Sequence, residues 1–110
     1  MKRVYTDYLR DMLDNAEKAL GFVKGIDFEE SRSDDKSVYA VIRAVEIIGE
    51  AARNIPEEIR SKYPGIPWRE VAAMRSKLSH EYFGVNIQVV WKTTQEDLPA
   101  LIPLLRSIIH

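Results

Sequence analysis

Between Asp34 and Ile55 the apolar side chains fall at Val38, Val41, Ile42, Val45, Ile48, Ala52 and Ile55, a spacing of threes and fours held for the whole stretch. At 3.6 residues per turn these positions wind into one stripe, so the segment is a helix that buries one face. A strand would scatter the same residues over both of its faces. A second stripe, Tyr5, Leu9, Met12, Ala16, Leu20 and Val23, predicts a helix from about Thr6 to Lys24 that stops at Gly25. Pro56 closes the first stripe, Pro56 to Tyr63 reads as a short helix, and Pro64-Gly65-Ile66-Pro67 is a turn that places Pro67 at the start of another helix. That helix is expected to continue to about Tyr82, with Gly84 as its C-terminal cap. Asn86 then caps a last helix carrying Ile87, Val90, Trp91, Thr94, Leu98, Leu101, Leu105 and Ile108, which Pro99 and Pro103 should bend or interrupt. No segment sustains a period of two. The expected fold is all-α, an antiparallel up-down bundle of four main helices plus a short one, forming a single domain over residues 1–110.

Two details of the long central helix go beyond packing. Gly49 lies inside it at a cost of roughly 1 kcal/mol relative to alanine, which points to a neighbouring helix approaching closely. Arg43, Glu46, Glu50 and Arg53 line up beside the apolar stripe at helical spacings. Read plainly they are a solvated ladder of salt bridges; Glu46 and Glu50 could also act as an acid/base pair or orient Arg75.

Charged residues make up 30% of the chain and apolar ones 45%, an ordinary globular balance. The apolar runs break well short of a membrane span, and the residues after Met1 lack the apolar core of a secretory signal, so a cytoplasmic location with no membrane association is expected. The chain has no cysteine and two histidines, leaving no thiolate metal site and little for zinc. A formal net charge of −1 excludes a protein that coats nucleic acid by bulk electrostatics. A local basic site remains open, because Arg69, Arg75 and Lys77 fall close together.

The chemistry concentrates in Met74-Arg75-Ser76-Lys77-Leu78-Ser79-His80-Glu81-Tyr82-Phe83-Gly84. On a continuous helix Arg75 shares the stripe of Val71, Leu78 and Tyr82, where a guanidinium must either meet a carboxylate or line a cleft open to an anion. His80 lies five residues on, about 140° around the helix, so the two side chains converge only if the last turn loosens or a second copy of the chain completes the site. Histidine can accept the proton of a ribose 2′-hydroxyl, and arginine can stabilise the charge that builds on the attacked phosphate. The nucleophile belongs to the RNA, so the reaction needs neither metal nor cofactor. DNA lacks that hydroxyl and could bind without reacting. From spacing alone, an arginine and a histidine on a charged helix are more often surface decoration. Trp68 and Trp91 could stack bases, but their place on apolar stripes favours packing in the core or between subunits.

The arrangement R-x4-H-x-Y, here Arg75, His80 and Tyr82, resembles the signature of the HepT toxins, a branch of the HEPN superfamily of all-helical ribonucleases. The similarity extends through Ala44-Val45-Glu46-Ile47-Ile48-Gly49-Glu50-Ala51-Ala52, Ile66-Pro67-Trp68, Val90-Trp91 and Asp97-Leu98-Pro99, in the same order. The resemblance implies a toxin of a toxin-antitoxin system, a metal-independent endoribonuclease acting as a homodimer, with Arg75 and His80 as the catalytic pair. It further implies a minimal nucleotidyltransferase antitoxin that transfers AMP from ATP onto Tyr82 and so blocks RNA. Ser76, Lys77, Arg69, Glu46 and Glu50 are the expected supporting or RNA-contacting residues. The chain departs from the pattern at Ser76, where the superfamily commonly has a longer polar amide or acid, and at Ala73, where glycine is frequent. The alternative is a non-catalytic helical module that binds a nucleotidyltransferase partner or a nucleotide.

Overall fold

The computed structural model describes residues 3–80 and 84–109, with only the backbone of residues 79 and 80. Helix α1 (Tyr5–Phe22) turns Leu9, Met12, Ala16 and Ala19 inward, and Gly25 just beyond it takes φ +80°. A short α2 (Phe28–Arg32) follows, unanticipated because five residues carry too little periodicity to read. It is held by a reciprocal cap in which the Glu30 amide donates to Asp27 Oδ1 at 2.8 Å and the Asp27 amide to Glu30 Oε1 at 3.3 Å. Helix α3 (Asp35–Arg53) begins at Asp34, whose carboxylate accepts from the Ser37 amide at 3.2 Å and the Ser37 hydroxyl at 2.7 Å. Those two bonds, the hydroxyl's first, hold the Asp34 carboxyl below its ordinary pKa. The Ser37 hydroxyl also lies 3.2 Å from the carbonyl of Phe22, which places the start of α3 at the end of α1 and makes the pair antiparallel. The short α4 (Glu57–Lys62) matches expectation.

The segment after Pro67 departs from the expected continuous helix. It forms α5 (Trp68–Ala72), breaks at Ala73 (φ −95°, ψ 0°), resumes as α6 (Met74–Leu78) and then becomes a strand, β1 (Ser79–His80), paired antiparallel with β2 (Gly84–Val85). The break has a visible cause. In an unbroken helix the Ala72 carbonyl would accept from the Ser76 amide, but that amide donates to Ala73 at 3.1 Å and the Ala72 oxygen accepts instead from Arg53 Nη2 at 2.8 Å. Gly49 makes room for this: a Cβ there would stand 3.1 Å from the same oxygen, so the expected close approach at Gly49 is found. Gly84 is not the helix cap that its position suggested. It lies in β2 with φ +82°, opposite His80, while the Leu78 carbonyl accepts from the Asn86 amide at 2.7 Å.

Asn86 does cap the final rod, its Oδ1 accepting from the Val89 amide at 3.3 Å. The rod consists of α7 (Ile87–Lys92), a π-turn (Thr93–Asp97) and α8 (Leu98–Ile108). Pro99 has no N–H for Gln95 and its ring crowds that carbonyl, which the wider π-turn relieves; Pro103 is accommodated inside α8. The buried hydroxyls of Thr93 and Thr94 donate to the carbonyls of Val89 and Trp91, each at 2.8 Å. Helix α8 packs on α1, with Arg106 3.4 Å from Glu17. Four rods thus alternate in direction around one core of Leu9, Met12, Val45, Ile48, Leu78, Leu98 and Leu105. Among the described residues the fold is all-α apart from the two-residue strands, as expected for a HEPN-like bundle. No helix among the described residues is long and apolar enough to cross a membrane.

Candidate active site and its relatives

Met74 and Leu78, four residues apart on α6, take the buried positions, and Arg75 turns out of the stripe it would share with Val71 and Leu78 on a continuous helix. Its side chain is 63% exposed and meets a carboxylate, with Arg75 Nε 3.3 Å from Glu46 Oε1. The other oxygen of Glu46 is 3.5 Å from Arg43 Nη1, and Glu46 itself is 31% exposed. Pairs this wet contribute about 0–1 kcal/mol to stability, so the consequence of Glu46 is orientation. It holds the Nε edge of the guanidinium and leaves the four N–H groups of the two terminal nitrogens for an incoming anion.

The expected four-residue ladder on α3 is only half present. Arg43 pairs with Glu46, but Arg53 is drawn to the Ala72 carbonyl, and Glu50 is exposed with no ion pair among the described residues. Ser76 does not reach toward Arg75 either; its hydroxyl donates to the Ala73 carbonyl at 2.7 Å, securing the helix break.

His80 belongs to β1 and not to the helix, so the 140° separation imposed by an unbroken helix no longer applies. Its side chain, and the whole of Tyr82, lie outside the described residues. Arg69 and Lys77 were expected to work together, yet they open onto different surfaces. Arg69 lines a cleft with Arg53 and Arg60, whereas Lys77 lines a groove with Glu70, Glu96 and Asp97. Sequence reading missed Arg60 altogether and assigned Arg53 to the ladder; neither position carries a local signal of the cleft.

Both tryptophans pack, as their stripes suggested. Trp68 is 9% exposed and its Nε1 donates to the carbonyls of Arg60 and Tyr63 at 3.2 and 3.0 Å. Trp91 meets Phe28 edge-on with ring centroids 6.0 Å apart.

A four-rod bundle that breaks its third rod to expose a carboxylate-held arginine just before a histidine-bearing strand is a helical module of a defined type. Residues 12–108 match the family described as Ribonuclease HepT-like. Over 101 residues the chain is 52% identical to a Thermococcus cleftensis protein named "Probable ribonuclease HepT", covering 92% of each chain. It is also 43% identical over 103 residues to an RNase-named protein of Caldanaerobacter subterraneus, covering 94% of this chain and 92% of that one. A third relative, an RNase-named protein of Methanocaldococcus jannaschii, is 44% identical over 100 residues, covering 91% and 86%. No solved structure matches. The chain belongs to the HepT-like ribonuclease family.

Proposed function

We propose that this protein is a metal-independent endoribonuclease, the toxin of a toxin-antitoxin pair, using Arg75 and His80. The 2′-oxygen of one ribose attacks the adjacent phosphorus while His80 accepts its proton. The terminal nitrogens of Arg75 stabilise the extra negative charge on the phosphate. The P–O5′ bond then breaks and the 5′-oxygen takes a proton from solvent water while His80 returns its own to solvent, leaving a 2′,3′-cyclic phosphate and a 5′-hydroxyl. Glu46 positions Arg75, Ser76 and Lys77 lie within the motif as supporting residues, Glu50 is a further carboxylate one turn along α3, and Arg69 contacts the RNA. The catalytic form is a homodimer whose two motifs face a shared cleft.

The observation that carries the reading is the Arg75–Glu46 pair at 3.3 Å, which fixes the exposed guanidinium by one edge just before the backbone enters β1 with His80. Names of relatives as ribonucleases support it. Silencing follows if a minimal nucleotidyltransferase antitoxin attaches AMP to Tyr82: the tyrosine oxygen attacks the α-phosphorus of ATP, pyrophosphate leaves, and the anionic adduct repels RNA.

The test is to incubate the purified chain with single-stranded RNA in excess chelator beside the Arg75→Ala and His80→Ala variants. Cyclic-phosphate ends in the wild type alone support the mechanism, and RNA left intact by all three proteins overturns it in favour of a non-catalytic binding module. Co-expression with a minimal nucleotidyltransferase of the antitoxin type should add the mass of AMP to the wild type and nothing to Tyr82→Phe.

A further inference from the structure

A cleft lined by three arginines lies beside the helix break that precedes Arg75. Arg53 at the end of α3, Arg60 in α4 and Arg69 in α5 line an open cleft of about 560 Å³ in which Glu57 is the one lining carboxylate among the described residues, although the chain as a whole has a net charge of −1. Glu57 is committed to Arg60, at 3.0 Å from Nη2. Arg53 is fixed by its bond to the Ala72 carbonyl, and Arg69 is exposed with no ion pair among the described residues. Arg60 Nε is shielded from solvent without a hydrogen-bond partner, so the protein alone leaves a donor of this half-buried guanidinium unsatisfied. The cleft ends at Ala72 and Ala73, just ahead of Arg75, and Arg53 follows Glu46 by two turns of α3, about 10 Å along its axis.

We infer that the Arg53–Arg60–Arg69 cleft is a second phosphate site, one that holds the backbone of a single RNA strand beside the bond presented to Arg75. The inference rests on the ribonuclease reading for its choice of ligand. Arginine forks suit phosphate oxygens, and three of them against one carboxylate give the site its sign. No base is read there. The one aromatic residue lining the cleft among the described residues, Trp68, is buried and has given its N–H to two backbone carbonyls, so the contact is to phosphate and is indifferent to sequence.

The experiment measures binding of a fluorescent single-stranded probe with 2′-O-methyl riboses, which cannot be cut, at several salt concentrations. Arg69→Ala, whose side chain is exposed and makes no described ion pair, should keep the wild-type melting curve and bind uridine-rich and adenine-rich probes several-fold more weakly to the same extent. The slope of log affinity against log salt should become shallower by about 0.7, one phosphate contact on a single strand. Arg60→Gln should act in the same direction. An unchanged slope and affinity in Arg69→Ala, a loss confined to one probe composition, or no probe binding by the wild type would each overturn the site. Free AMP or an acidic peptide binding in an Arg69-dependent manner while the RNA slope stays fixed would overturn it in favour of that ligand. The two readings fail separately. An Arg69-dependent slope in a chain that cuts nothing removes only catalysis, and cleavage with an Arg69-independent slope removes the cleft and the Arg69 contact but leaves Arg75 and His80 in place.

Discussion

The two sides of the broken α5–α6 rod carry opposite charge. On one side Arg69 joins Arg53 and Arg60 around a cleft of about 560 Å³; on the other Lys77 sits among Glu70, Glu96 and Asp97 beside an apolar groove of about 310 Å³. Arg69 and Lys77 are near neighbours in the chain, but the potential each helps create is set by the elements packed against it. For Arg69 those are the end of α3 and the short α4; for Lys77 they are the π-turn and the start of α8. The proposed RNA site lies on the first side. The division also makes Arg75 the point where the rod's exposed chemistry begins.

The largest effect tests that division within one short helix. Arg75→Ala should lower the rate of RNA cleavage by about 10²–10³-fold, the usual loss on removing a group that stabilises transition-state charge. Lys77→Ala, two residues away on the acidic side, should change it less than twofold. Equal losses from both would erase the distinction between the sides.

Gly49→Ala is expected to be next, because the new methyl meets the Ala72 oxygen at 3.1 Å and that oxygen is anchored by Arg53. The intrinsic gain of about 1 kcal/mol from alanine in a helix is opposed by an overpacking cost of about 1–3 kcal/mol. A net fall of several degrees in melting temperature is the outcome to look for, together with weaker RNA cleavage as the break at Ala73 shifts. A higher melting temperature would mean that the rod yields easily.

A smaller change is expected from Glu46→Gln, which keeps the shape of the side chain and removes its charge. Because the Arg75–Glu46 pair is exposed, stability should hardly move, whereas kcat should fall by less than about tenfold with KM nearly constant. A change in KM alone would place Glu46 in binding. The smallest effect concerns Asp34, which lines neither cleft. Its folded-state pKa is lowered by Ser37, so its contribution to stability is present above the ordinary carboxylate pKa and is lost as pH falls through the depressed value. Asp34→Asn should therefore melt closer to the wild type in acid than at neutral pH, and a difference independent of pH would show that the carboxylate charge is irrelevant to the cap.

Much of this architecture was legible in the residues. The stripes of α1 and α3, the stop near Gly25, the cap at Asn86 and the close approach at Gly49 all follow from local geometry, because helix periodicity and capping depend on residues a few positions apart. The short α2 escaped notice despite its capping pair Asp27 and Glu30, since a five-residue helix has no period to detect. The continuity assumed from Pro67 to Tyr82 failed for a different reason. Nothing in the segment's own residues forbids a helix through Ala73; the competing donor comes from Arg53, nineteen positions earlier.

The sequence by itself determined that the chain forms an amphipathic bundle, and it singled out Arg75, His80 and Tyr82 as the residues with chemistry to offer. Only the tertiary structure decided that Arg75 faces outward in the grip of Glu46, that His80 leaves the helix for a strand, and that Arg53, Arg60 and Arg69 surround one cleft. Apolar stripes are fixed by neighbours along the chain, whereas the acceptor that a guanidinium finds and the charge that gathers in a cleft depend on residues brought close only when the rods pack.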